Sequence, residues 1–118
     1  MSISGQRAVE VLARLSDRVD LHKKDNTDKF WSYKLRTAKR TEFAFDPRTK
    51  NGLYVRVDRE PPPLPGISNI ERISGKDVST ALGRVFSGGI HQANYVATIA
   101  SEPALLAFIT HYESLHGA

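Results

Sequence analysis

Between Lys29 and Arg59 the chain places nine basic residues, Lys29, Lys34, Arg36, Lys39, Arg40, Arg48, Lys50, Arg56 and Arg59, against three acids, Glu42, Asp46 and Asp58. That stretch carries +6 while the whole chain carries +4, so the remainder sums to −2. No lysine or arginine follows Arg84. The aromatic residues Phe30, Trp31, Tyr33 and Tyr54 are interleaved with the cations. Cations and rings alternating on strands are suited to phosphate contact and base stacking. The candidate contact residues are Lys34, Arg36, Lys39, Arg40, Arg48, Lys50, Tyr54 and Arg56. Two other uses fit the same residues: docking an acidic protein partner, and a solvated sheet face whose charges protect edges and aid solubility.

The other chemistries lack their residues. Ser74-Gly75-Lys76-Asp77 starts like a phosphate loop, but that motif needs glycine where Ile70 stands and Ser or Thr where Asp77 stands. Ser74 and Asp77 have instead the spacing of a helix-capping box. His22, His91, His111 and His116 include no i, i+4 pair, and with zero cysteines no thiolate metal site or cysteine nucleophile exists. His111 and His116 fall near the end of a helix, where a cation suits the dipole. His91 follows the Ser87-Gly88-Gly89 bend without a partner in sight. The acids Glu42, Asp46, Asp58 and Glu60 have no lysine at nuclease spacing. Asp46 reads as a turn opener before Pro47, and Asp58 and Glu60 as cross-strand partners for Lys34 or Arg36. Ser87-Gly88-Gly89 is no nucleophile elbow. The run Arg59 to Pro65 matches an R-x-x-P-x-x-P ligand spacing, yet it lies between structural elements and reads as a stiff connector. No catalytic residue, metal or cofactor is expected, and a binding module is favoured over an enzyme.

The elements that must position these residues follow from periodicity. Ala8, Leu12, Leu15 and Val19 make one apolar stripe, which predicts a helix from about Ser4 to Val19 with Ser4 as N-cap. HKKDNTDK then reads as a loop. Trp31, Tyr33 and Leu35 alternate with polar residues, Phe43 and Phe45 share a face, and Leu53, Val55 and Val57 oppose Tyr54, Arg56 and Asp58, which predicts three strands. Asp46-Pro47 and Asn51-Gly52 predict a hairpin turn between the last two. Pro61 to Gly66 ends the third strand, and Ile67, Ile70 and Ile73 read as anchors of a long connection. A second helix is predicted from Lys76 or Asp77 to Phe86. A fourth strand follows around Tyr95, Ala97 and Ile99, parallel or at an edge. A last helix, capped by Ser101, buries Leu105, Ile109 and Tyr112, widened by Phe108 and Leu115.

The expectation is a single α+β domain over all 118 residues, with an antiparallel sheet of about four strands packed by helices in the order α-β-β-β-α-β-α. No apolar run is long enough to cross a bilayer, and the opening residues have no signal core, so no membrane is expected and the expected location is cytoplasmic.

The runs EFAFDPRTKNGLYVRVDREPPPLPGI and YVATIASEPALLAFITHYESL resemble small accessory domains found beside bacterial restriction-type endonucleases. The shared pattern is a hairpin, a G-L-Y-V-R-V strand, a proline-rich exit, then a final strand and helix. The resemblance implies a bacterial or phage protein that recognises DNA without cutting it. The expected partner is therefore nucleic acid, DNA before RNA, with an acidic protein as the alternative.

Overall fold

Ser4 opens the first helix as its side chain suggests. In the computed structural model, which describes residues 3–24, 30–72, 86 and 94–116, α1 spans Gly5–Arg14. Ser4 Oγ accepts the Arg7 N–H at 3.1 Å, which satisfies one amide that a helix start leaves without a partner. Ala8, Val11 and Leu12 are buried along one face. The helix stops earlier than its apolar stripe. The Leu15 N–H bonds the Leu12 carbonyl and the Arg18 N–H bonds the Leu15 carbonyl, and this turn leads into β1, Val19–Lys24. Val19 is thus the first residue of a strand, not the last of a helix, and part of the expected loop is sheet.

Five further strands follow: β2 Trp31–Leu35, β3 Glu42–Phe45, β4 Leu53–Val57, β5 Ile67–Arg72 and β6 Tyr95–Ile99. The sheet is antiparallel throughout, in the order β1-β2-β3-β4-β6-β5. It has six strands where about four were expected, the additions being β1 and β5. Each addition has an irregularity that hides its period. In β1 the register slips between Leu21 and Lys23, and in β5 it slips between Ser68 and Glu71, where Asn69 takes φ 53°. One extra residue at a bulge breaks the alternation by which a strand is recognised. The spacing of Ile67 and Ile70 therefore looked like a connection. The strand expected to be parallel or at an edge, β6, is antiparallel and internal, between β4 and β5. The helix expected from residue 76 to 86 lies outside the described residues but for Phe86, as do Ser74-Gly75-Lys76-Asp77, His91 and the glycine pair at 88 and 89.

The last helix, α2, spans Glu102–His116. Ser101 caps it, its hydroxyl accepting the Ala104 N–H at 3.3 Å. One core cluster joins Ala8, Val11 and Leu12 of α1 to Leu105, Phe108, Ile109 and Tyr112 of α2. From the sheet come Tyr33, Leu35, Phe43, Phe45, Leu53, Val55, Val57, Ala97 and Ile99. Both helices therefore cover the same sheet face. Phe43 meets Phe108 edge-on at 5.3 Å between ring centroids, and Phe108 meets Tyr112 likewise at 5.2 Å, geometries that add to area burial. Leu115 does not widen this face; it is 61% exposed. Among the described residues no helix is long and apolar enough to cross a membrane.

The proline run is built into the fold, as its place between elements suggests. Pro61 and Pro62 are buried, and the Tyr112 hydroxyl donates to the Glu60 carbonyl at 2.8 Å. The Ile67 N–H closes a turn onto the Leu64 carbonyl, with Gly66 at φ 84°. Pro63 and Pro65 are exposed, so the run is packed along part of its length.

Candidate nucleic-acid interface

The eight candidate residues divide by the topology of β3. This strand has 4 residues, so the turn before it and the turn after it lie at opposite ends of the sheet, roughly 13 Å apart at ~3.3 Å per residue. Lys34, Arg36, Lys39 and Arg40 gather at the β2–β3 end. Arg48 and Lys50 stand on the β3–β4 turn at the other end. Tyr54 and Arg56 lie between, on β4.

At the β2–β3 end the residues form a groove of about 450 Å³, lined by Asp20, Lys34, Leu35, Arg36, Thr37, Ala38 and Arg40. Pairing of Asp20 with Lys34 across β1 and β2 sets its floor. The turn is closed by the Arg40 N–H on the Thr37 carbonyl at 3.1 Å and the Leu35 N–H on the Thr41 carbonyl at 2.9 Å. Arg36 leans on Asp20, its Nη2 2.7 Å and its Nε 3.1 Å from Oδ1. Both partners are about half exposed, so this pair orients Arg36 more than it stabilises the fold. Three cations thus face one groove with one carboxylate among them. Lys39 is exposed on the same turn.

The other candidates are placed differently. Arg48 is turned back on its own turn, its Nε 3.1 Å from Asp46 Oδ1, and Asp46 also accepts the Arg48 N–H at 2.8 Å, the turn-opening role expected of it. Arg56 is half-buried with its guanidinium 4.6 Å from the Tyr54 ring centroid, and its Nε is buried without a hydrogen-bond partner. Tyr54 is 48% exposed. The sheet face that carries Lys34, Tyr54 and Arg56 is not an open platform, because Ser32, Glu42, Ala44 and Val96 on that face are buried. The expectation of one continuous cationic face gives way to a cationic corner, a separate Tyr54–Arg56 pair and a distal turn. Asp58 accepts the Glu42 N–H at 3.1 Å, while Arg36 takes Asp20, a partner from β1 that could not be foreseen without that strand.

Sequence reasoning passed over Asp20, Thr37 and Thr41. Thr37 and Thr41 are buried, and both hydroxyls lack a hydrogen-bond partner. Their signal was present in TAKRT, a hairpin turn without glycine. Asp20 also borders a second groove of about 190 Å³ lined by Val9, Leu12, Ala13, Val19, Leu21, Trp31 and Tyr33, with Leu21 47% exposed. Burial pushes the Tyr33 hydroxyl up to about 12, so this ring acts there as a neutral group. His111 lies beside the Tyr112 ring at 5.2 Å on α2, and among the described residues no three His, Asp or Glu side chains gather as metal ligands.

No protein-family model, curated protein or solved structure matches this chain.

Proposed function

We propose that this chain is a non-catalytic nucleic-acid-binding module that grips backbone phosphates with Lys34, Arg36, Lys39 and Arg40 at the β2–β3 end of the sheet. The observation that carries the reading is the convergence of Lys34, Arg36 and Arg40 on one groove. Guanidinium forks and an ammonium facing a common volume suit phosphate oxygens. The Tyr54–Arg56 pair, on the same sheet face but nearer the far turn, offers a stacking surface for a base. DNA is the first polymer to test, on the resemblance to accessory domains of restriction-type endonucleases.

The test is fluorescence anisotropy of labelled duplex DNA, single-stranded DNA and RNA at 50 and 200 mM salt. Neutralising three or four phosphates lowers affinity on the order of 50- to 150-fold over that range. Absence of binding at the lower salt, on all three, rejects the reading.

A second reading has its own support. The cationic groove shares Asp20 with the apolar groove beneath Leu21, and a basic patch adjoining an apolar one has the composition of a protein interface. An acidic protein partner then takes the place of the polymer. Substituting Leu21 by Asn weakens such a complex and leaves oligonucleotide affinity unchanged, which separates the two.

A further inference from the structure

The β2–β3 turn holds an arginine in a backbone conformation that favours glycine. Arg40 has φ 47°, the left-handed region, where a Cβ crowds its own backbone. In a hairpin loop that follows a turn with a left-handed residue, glycine is the usual occupant. Keeping arginine there carries an energetic cost, and such strain concentrates where a side chain has a task. From this position Arg40 lines the groove with Lys34 and Arg36.

Two further observations fall at the same place. Thr37, 4% exposed, lines the groove, and its Oγ1 has no hydrogen-bond partner. A buried hydroxyl with no partner is uncommon and asks for an explanation. The one carboxylate in the groove lining, Asp20, is held by Arg36 at 2.7 Å; Lys34 stands between Asp20 and Glu42 in the strand register, and Arg40 lines the groove from the turn. A cationic groove with an unused hydroxyl matches a tetrahedral anion, whose oxygens accept from both kinds of donor.

We propose that the groove is a preformed site for one phosphoryl group, with Arg40 its principal contact and held in the left-handed conformation for that purpose. Thr37, which lines the groove and whose buried hydroxyl has no hydrogen-bond partner, supplies a neutral donor. The proposal rests on the nucleic-acid reading only in that a strand is one source of the phosphoryl group. A terminal phosphate monoester and inorganic phosphate are others with the same chemistry.

The experiment titrates the full chain with inorganic phosphate, and with one oligonucleotide bearing either a 5′-phosphate or a 5′-hydroxyl. It compares the parent with Arg40→Gly, Arg40→Lys and Asp20→Asn, following amide shifts of residues 34–41 and the melting temperature. Arg40→Gly is expected to melt higher, because the backbone strain is gone, while binding phosphate and oligonucleotide about tenfold more weakly. Arg40→Lys keeps the charge but loses the fork, and falls between. Asp20→Asn removes the competing carboxylate and tightens binding. Tighter binding of the 5′-phosphorylated strand assigns the site to a terminal phosphate, and equal binding assigns it to an internal diester. Arg40→Gly that binds as tightly as the parent overturns the proposal, as does a parent whose residues 34–41 do not respond to any phosphate. Oligonucleotide binding that survives Arg40→Gly removes the pocket and keeps the nucleic-acid reading. Arg40-dependent phosphate binding without oligonucleotide binding does the reverse.

Discussion

Arg18 and Glu113 are 95 positions apart and join the turn after α1 to the last helix. Arg18 Nη2 lies 2.5 Å and Nε 2.9 Å from the two carboxylate oxygens, a two-pronged pair with both side chains about two thirds covered. The Arg18 guanidinium holds the Glu113 carboxyl below its ordinary value of 4.5. A depressed acid contributes stability above the unfolded value and loses it as pH falls through the folded one. The chain should therefore be destabilised below about pH 4.5. Glu113→Gln should be less stable at pH 7 and should lose less on acidification to pH 3, as read by urea midpoints. Equal acid sensitivity in the two proteins would show that other carboxylates govern the acid limb.

At the scale of elements, α1 is seated by backbone contacts rather than by its apolar stripe alone. The Gly5 N–H bonds the Thr49 carbonyl at 2.7 Å, and the Gln6 amide bonds the Pro47 carbonyl at 2.9 Å. Ile3 is stitched on both sides, its N–H to Ala100 and its carbonyl to Gly52. The helix start and the β3–β4 turn thus form one joint. A Cβ on Gly5 would lie 2.5 Å from the Pro47 carbonyl carbon and oxygen, closer than backbone atoms allow. Gly5→Ala should cost about 1–3 kcal/mol, the range of overpacking, with an unchanged denaturant slope. A midpoint equal to the parent's would mean that the joint is loose.

The same scale explains what the sequence made legible. Strands with clean alternation were evident: Trp31, Tyr33 and Leu35, then Leu53, Val55 and Val57, and finally Tyr95, Ala97 and Ile99. So were the caps at Ser4 and Ser101, because capping is local chemistry. The two outer strands were not. Val19 continues the apolar stripe of α1, and the extra residue near His22 spoils the pattern behind it. Asn69 does the same to β5. The proximity of Lys34, Arg36, Lys39 and Arg40 was implied by their place around one turn. Their separation from Arg48 and Lys50 follows from the placement of the two turns at opposite ends of β3, and the burial of the face between them depends on contacts that periodicity does not encode.

For the whole molecule, the cations of the +6 stretch are divided among the β2–β3 end, β4 and the β3–β4 turn instead of spreading over one face. Asp20, Asp46 and Asp58 temper its charge at three places, by bonding Arg36, by bonding Arg48 and by holding a β3 amide. The groove beside Arg40 gathers Lys34, Arg36 and Arg40 around one carboxylate, Asp20, and on the proposed reading a polymer of phosphates should find it first. The most direct measurement is the slope of log affinity against log salt for a DNA duplex and its single strand, in three proteins. The parent should give a slope of about −3 to −4, and Lys34→Ala with Arg40→Ala should reduce its magnitude by about 2. Arg48→Ala with Lys50→Ala should change it by less than about 1. A corner variant that keeps the parent's slope, or a distal variant that takes the larger loss, contradicts the account.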